Sequence, residues 1–341
     1  MSHAHSAIAN GRADAMALDM KWNGLRWTDL AISLLTLAAI FYFVEPARLA
    51  AILMKADWRW VLAGALAYSL TMLSMSWRLS FILRYLGGRV SLMRSWLANS
   101  AGLLASDLTP ARSGYFVVPF LFERHDGVPL EKGMAAVISP QIADFFLKAV
   151  VAAAGIFLIL ALQPSLENNA LLLFGGAAAM MGFAIALAML LFVPQTLGLV
   201  KPFLSIPLAQ KFHDFVRLMQ AQRGKVVPIF HIILALSILN LLFKGIEWYC
   251  LGQALGVQFS ASADPLVLFM MLQALISALQ FVPIPTVAGL GLAEGGAAAS
   301  MMMLGVPAEL SVAFLLLTRA VTTIMDCAGL GELAAILRKR K

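Results

Sequence analysis

Residues 281–296 read FVPIPTVAGLGLAEGG, and apolar runs flank them on both sides. Pro283 and Pro285 stand ahead of Gly289, Gly291 and a carboxylate, Glu294. Proline removes a backbone donor and glycine tolerates left-handed backbone, so both mark a break in a helix. Lipid cannot satisfy the freed N–H and C=O groups. Irregular backbone at membrane depth therefore survives only where protein buries it or water lines it. The stretch predicts a helix break that faces the inside of a membrane assembly.

The rest of the chain supports a membrane setting. Of 341 residues, 61% are hydrophobic and only 13% charged, with a mean hydropathy of +0.86. A soluble domain is nearer half apolar and a quarter charged. Several apolar stretches reach the ~20 helical residues that a bilayer core requires. The predicted fold class is an all-α polytopic membrane protein. Its net charge of +7 fits the positive-inside rule better than nucleic-acid binding, because Lys and Arg concentrate in loops and in the terminal Arg338–Lys341 run. Cys250 and Cys327 lie in apolar segments and read as small core residues. The polar start shows no removable signal peptide, and His3 and His5 read as part of a mobile tail.

Apolar runs place spans near 28–44, 60–77, 134–162, 171–193, 228–251 and 311–337. The resulting layout is a polar tail (1–24), a first membrane half (25–193), an amphipathic loop (194–227), a second membrane half (228–337) and a basic end (338–341). Two pieces are broken. One is 95–122, with Asp107, Pro110, Arg112 and Gly114 at its middle, followed by a polar loop at 123–132. The other is 265–304, which contains the opening stretch. If the basic 78–94 and 194–227 loops and both termini are cytoplasmic, six full crossings result. Both broken pieces are then re-entrant hairpins entering from opposite sides. Loop 45–59 fits least well, with Arg48, Lys55 and Arg59 on the outer side.

Opposed hairpins predict an inverted repeat. GVPLE (127–131) follows the first broken piece and GVPAE (305–309) the second, 178 residues on. That offset sets Gln141 on Arg319 and Lys148 on Asp326, with Gly114 one residue off Gly291. Paired interruptions in the halves of a transporter point to its binding site.

A charge at the centre of a spanning helix costs ~2.5–3.5 kcal/mol on insertion scales, so each one needs a partner or a purpose. Ser237, Asn240, Lys244 and Glu247 share one helix face, and Lys244 can pair with Glu247. They read either as a substrate-lining stripe or as a polar seam with Glu247 near the interface beside belt residues Trp248 and Tyr249. Arg319, Thr322, Thr323 and Asp326 share a face of the last span. Arg319 could meet an anionic headgroup or pair with Glu294 or Asp326. Asp144 and Lys148 stand one turn apart. Their bland reading is a headgroup-layer position with Lys148 snorkelling. Leu208, Phe212, Phe215, Val216 and Met219 have helical spacing and read as an amphipathic anchor. No HExxH, GxSxG, Walker A or CxxC motif is present, so neither nucleotide hydrolysis nor zinc proteolysis is supported.

On these residues the chain resembles the lysylphosphatidylglycerol synthetase transmembrane-region family, also called flippase-like integral membrane proteins. The first signature matches at Pro110, Arg112, Gly114, Gly127 and Asp144. The second matches at Pro285, Gly289, Gly291, Glu294, Gly305 and Arg319. The resemblance spans about 60–337. It departs where the family carries charges and this chain has Tyr115, Val118, Pro140 and Gln141. A less charged lipid, such as a hopanoid, gains weight as substrate beside a phospholipid. The soluble aminoacyl-transfer domain of fused members is not expected, nor is aminoacyl-lipid synthesis.

The resulting expectation is flippase- or scramblase-like translocation of a polar-headed lipid in a bacterial inner membrane, without cofactor or metal. Arg112, Gly114, Asp144, Asn240, Lys244, Pro285, Gly289, Gly291, Glu294, Arg319 and Asp326 would bind or gate. The expected partners are the membrane lipid and lipid-biosynthesis enzymes, with no nucleic acid. The alternatives are a membrane-embedded lipid-modifying enzyme, using Glu294 or Asp144 as acid or base, and a non-catalytic partner of a lipid-synthesis complex.

Overall fold

Asp57 starts the first long helix: its carboxylate accepts from the Arg59 N–H at 2.9 Å, which satisfies one of the donors a helix N-terminus leaves open. The structure is a computed structural model that describes residues 46–107, 109, 114–162, 170–193, 195, 213, 216–217, 220–260, 263–279 and 292–338. Among these residues the elements are helical throughout. They are α1 (Pro46–Met54), α2 (Trp58–Tyr85), α3 (Leu92–Asp107), α4 (Val117–Asp126), α5 (Leu130–Leu162), α6 (Ala170–Phe192), α7 (Arg223–Ala254), α8 (Pro265–Leu279), α9 (Leu292–Met303) and α10 (Ala308–Asp326). A 3-10 turn (Cys327–Gly329) leads into α11 (Leu330–Arg338).

Four stretches are long and apolar enough to cross a membrane: α2, the first 29 residues of α5, α7, and α10 continued into α11. They correspond to four of the six expected spans. α6 adds a 23-residue apolar helix. The first expected span lies outside the described residues, as does most of the 194–227 loop. The two broken pieces appear as pairs of short helices, α3 with α4 and α8 with α9. At 1.5 Å per residue, the 16-residue α3 and the 15-residue α8 reach only about 24 Å and 22 Å, short of a bilayer core.

Each half therefore follows one order: long helix, two short helices, long helix. α2–α5 and α7–α10 are the two units. Their leading helices pack along each other in opposite directions. The Asp57 N–H donates to the Ala254 carbonyl at 2.9 Å, Gly64 meets Leu251, and Arg78 meets Ser237 further along. Numbers rise along α2 as they fall along α7, so the units are related by inversion. The two GVPxE turns match in detail. Gly127 (φ 62°) and Gly305 (φ 85°) both adopt left-handed backbone. Each follows a short helix, and Val128 and Val306 each reach back to a carbonyl of that helix, in the manner of a Schellman cap. Pro129 and Pro307 then accept from the first turn of the next long helix.

Two buried clusters form most of the core, each centred on one unit and joined by residues of the other. Phe122, Leu121, Val118, Ile82 and Leu83 anchor the first. Phe269, Phe314, Trp248 and Leu251 anchor the second, with Trp248 edge-on to Phe314 at 5.2 Å. Small residues let α3 approach its neighbours, among them Ala98, Ala101 and Ala105, as membrane helices require when packing rather than water expulsion drives association.

Several expectations are corrected. Residues 78–94 are not a loop: α2 continues to Tyr85 and α3 begins at Leu92, because the Arg78 charge is neutralised inside the bundle and does not end the span. The polar loop at 123–132 shrinks to 127–129, since α4 carries its charged end through Asp126. Loop 45–59 contains α1. Trp248 is buried in the second core and is no belt residue, because its ring has Phe314 to pack on. Glu247 is fully buried inside the protein. Cys250 is buried as expected, but Cys327 is exposed, since the 3-10 turn rotates it away from α3.

Candidate functional site

Between the two units lies a cavity of about 370 Å³, within the usual range for ligand sites. Every helix from α2 to α10 except α4 contributes to its wall. The inversion is visible there. Val137, Gln141, Asp144 and Lys148 of α5 line it, and so do Leu315, Arg319, Thr322 and Asp326 of α10, each 178 residues on. Tyr68, Thr71 and Met75 of α2 correspond to Ser237, Asn240 and Lys244 of α7 at an offset of 169. One turn further, just behind the wall, that offset pairs Arg78 with Glu247.

Arg78 is only 3% exposed. Its guanidinium forks onto Asp144, Nη1 to Oδ1 at 2.7 Å and Nη2 to Oδ2 at 2.9 Å, a bidentate geometry that favours Arg over Lys. Nη1 also donates to Ser237 Oγ of the other unit. Glu247, fully buried, holds Lys244 with Nζ 2.9 Å from Oε1 and 2.8 Å from Oε2. Tyr68 joins the halves: its hydroxyl donates to Asp326 Oδ1 at 2.8 Å, and Lys244 Nζ stands 4.6 Å over its ring, a cation–π contact. Lys148 lines the cavity, one turn after Asp144 on the same stripe of α5.

Among the described residues, the cavity wall carries three carboxylates (Asp107, Asp144, Asp326) and three cations (Lys148, Lys244, Arg319). Arg78 and Glu247 behind it add one of each sign. The described part of the wall is thus charge-balanced as well as polar.

Of the expected site residues, Asp144, Asn240, Lys244, Arg319 and Asp326 come together here. Gly114 sits beside it, in the turn preceding α4. A Cβ there would meet the backbone of Ala105 and Ser106, and its N–H donates to Thr109 Oγ1 at 2.6 Å. Arg112, Pro285, Gly289 and Gly291 lie outside the described residues, and of Glu294 only its helical backbone in α9 is described. Sequence reasoning missed Arg78, Tyr68 and Gln273 as wall or support residues. The signal for two of them was available: Tyr68, Thr71, Met75 and Arg78 repeat the 3-4-3 spacing of Ser237, Asn240, Lys244 and Glu247.

Two inverted units of membrane-spanning and shorter helices, closed around a polar cavity, define an integral membrane protein of the inverted-repeat type. Residues 26–328 match the family described as the lysylphosphatidylglycerol synthase TM region, and the chain belongs to that family. The family name associates the chain with lipid modification or transport. No curated protein matches the chain.

Proposed function

We propose that the protein translocates a polar-headed membrane lipid across the bilayer, flippase- or scramblase-like, without nucleotide hydrolysis. The observation that carries this reading is the charged, two-fold-related cavity built at the junction of the inverted units. A headgroup needs such a polar lining to cross hydrocarbon, while its tails can stay in lipid. The α3–α4 and α8–α9 pairs act as opposed re-entrant hairpins, and their tips set access from either side. Arg319 and Lys148 on one pair of related stripes, with Lys244 on the other, contact or gate the headgroup. Arg112, Glu294 and the glycines of the opening stretch act at the tips. A hopanoid or a phospholipid is the cargo, the membrane is a bacterial inner membrane, and both termini face the cytoplasm. Lipid-synthesis enzymes supply the substrate.

The enzyme alternative is weakened by Asp144, whose two oxygens are both held by Arg78. A carboxylate clamped in this way positions charge and is poorly placed to shuttle protons. The full chain reconstituted in liposomes, with fluorescent lipids in one leaflet and a membrane-impermeant quencher, tests translocation. Faster loss of protected fluorescence than in protein-free liposomes is expected. A folded protein that moves no lipid of any headgroup class would sink the proposal. Lipid mass spectrometry of a deletion strain separates the enzyme: a missing product favours chemistry, and intact lipids in the wrong leaflet favour transport.

A further inference from the structure

The second unit's share of the wall contains polar groups that the protein leaves unanswered. Asn240 is 8% exposed, and neither its Nδ2 nor its Oδ1 has a partner among the described residues. Gln273 is 7% exposed. Its Nε2 donates to Ser277 Oγ at 3.2 Å, but its Oε1 has no partner. Trp248 is 6% exposed, and its indole N–H is likewise unmatched. All three line the cavity. Asn240, Lys244 and Trp248 stand four residues apart on α7, so they form one stripe along the wall.

A buried polar group without a partner is costly, and such groups in native proteins call for an explanation. These need both kinds of partner. Asn240 Nδ2 and Trp248 Nε1 are donors, and Asn240 Oδ1 and Gln273 Oε1 are acceptors. A phosphate diester capped by an alkyl or choline group offers acceptors only, and an ammonium alone offers donors only. A hydroxyl offers both. The described part of the wall, with three carboxylates and three cations, carries no net charge to favour an anion or a cation. Lys244, the cation within this stripe, is already held by Glu247 and Tyr68.

We infer that Asn240, Gln273 and Trp248 form a subsite for an uncharged, hydroxyl-rich lipid headgroup, such as a sugar or another polyol. This deepens the proposed translocation and rests on it for the direction of traffic, though not for binding.

Native mass spectrometry of the full chain in detergent tests it, with glucosyl-diacylglycerol and two phospholipids whose headgroups carry no donor, phosphatidylmethanol and phosphatidylcholine, as probes. Retention of the glucosyl lipid at lower concentration than either phospholipid is expected. Asn240→Leu and Gln273→Leu should each weaken it roughly ten-fold, the scale of a lost buried hydrogen bond, and leave phospholipid retention unchanged. Asn240→Ala and Gln273→Met serve if a leucine variant does not elute as folded protein. No preference for the glucosyl lipid overturns the subsite. So does wild-type affinity in folded Asn240 and Gln273 variants, which would show the groups to be satisfied by water. Binding that depends on Asn240 in a protein that moves no lipid in liposomes would overturn translocation alone.

Discussion

The two inverted units share a backbone plan but differ in where they place charge. Lys148 in the first unit stands where the second has Asp326, and Arg78 stands where the second has Glu247. The means of holding a buried charge differ as well. Arg78 and Asp144 tie α2 to α5 across the bundle, whereas Lys244 and Glu247 pair within one turn of α7. The same asymmetry marks the ends. Arg94 of α3 bridges Asp126 at the end of α4 (Nε to Oδ2, 3.2 Å) and Glu332 of α11, with all three side chains mostly buried. At the GVPAE turn, Arg48 reaches Glu309 at 3.6 Å in an exposed pair, with 65% and 33% of the side chains open. Repetition conserves the path of the chain, each unit pairs its buried charge within itself, and the Arg78–Ser237 and Tyr68–Asp326 hydrogen bonds join the copies.

The largest effect should come from Arg78. Arg78→Ala leaves Asp144 without its bidentate partner at membrane depth, and a loss of about 3–5 kcal/mol is expected. Thermal unfolding in detergent checks this, and adding Asp144→Asn to the same protein should recover much of the loss. Full stability in Arg78→Ala would show that the cross-bundle pair does not distinguish the first unit. Arg94→Ala should come next: α11 loses its tie to α3, and hydrogen exchange in α11 should rise while α7 stays protected. Arg48→Ala, the surface counterpart, should change stability by less than about 0.5 kcal/mol.

The related glycines sharpen the comparison. Gly127→Ala forces a side chain into left-handed backbone at about 1–2 kcal/mol, with nothing within 4 Å of the added carbon. Gly305→Ala carries the same backbone cost and also drives its Cβ onto Ser260 Oγ. Its melting temperature should therefore fall further than that of Gly127→Ala. Equal losses would mean that Ser260 simply turns aside. Tyr68→Phe should have the smallest effect on folding that still reaches the cavity: it removes the bond to Asp326 and keeps the ring under Lys244. A loss of about 1 kcal/mol is expected.

Much of the architecture was legible in the sequence because membrane insertion leaves strong traces. Apolar length gave four of the six expected spans, and proline and glycine gave the broken pieces at 95–122 and 265–304, which match α3–α4 and α8–α9 closely. GVPLE and GVPAE exposed the repeat, since a left-handed glycine followed by proline leaves few choices of turn. The stripe on α7 was legible from spacing alone. Arg78 was not: an arginine at the end of an apolar run looks like a span boundary until Asp144, 66 residues away, is known to meet it. Trp248 misled for a related reason. An aromatic residue beside a charge suits an interface, and only the fold supplies Phe314 as its neighbour.

The balance of charge around the cavity bears on voltage. A membrane potential does work only on charge that moves, about 2.3 kcal/mol per elementary charge per 100 mV. Among the described residues, the three carboxylates and three cations of the wall cancel as a set. If the cargo is the uncharged headgroup proposed above, its passage transfers no net charge across the bilayer. The potential then neither drives nor opposes its transfer, and the difference in lipid concentration between the two leaflets sets the direction of flow.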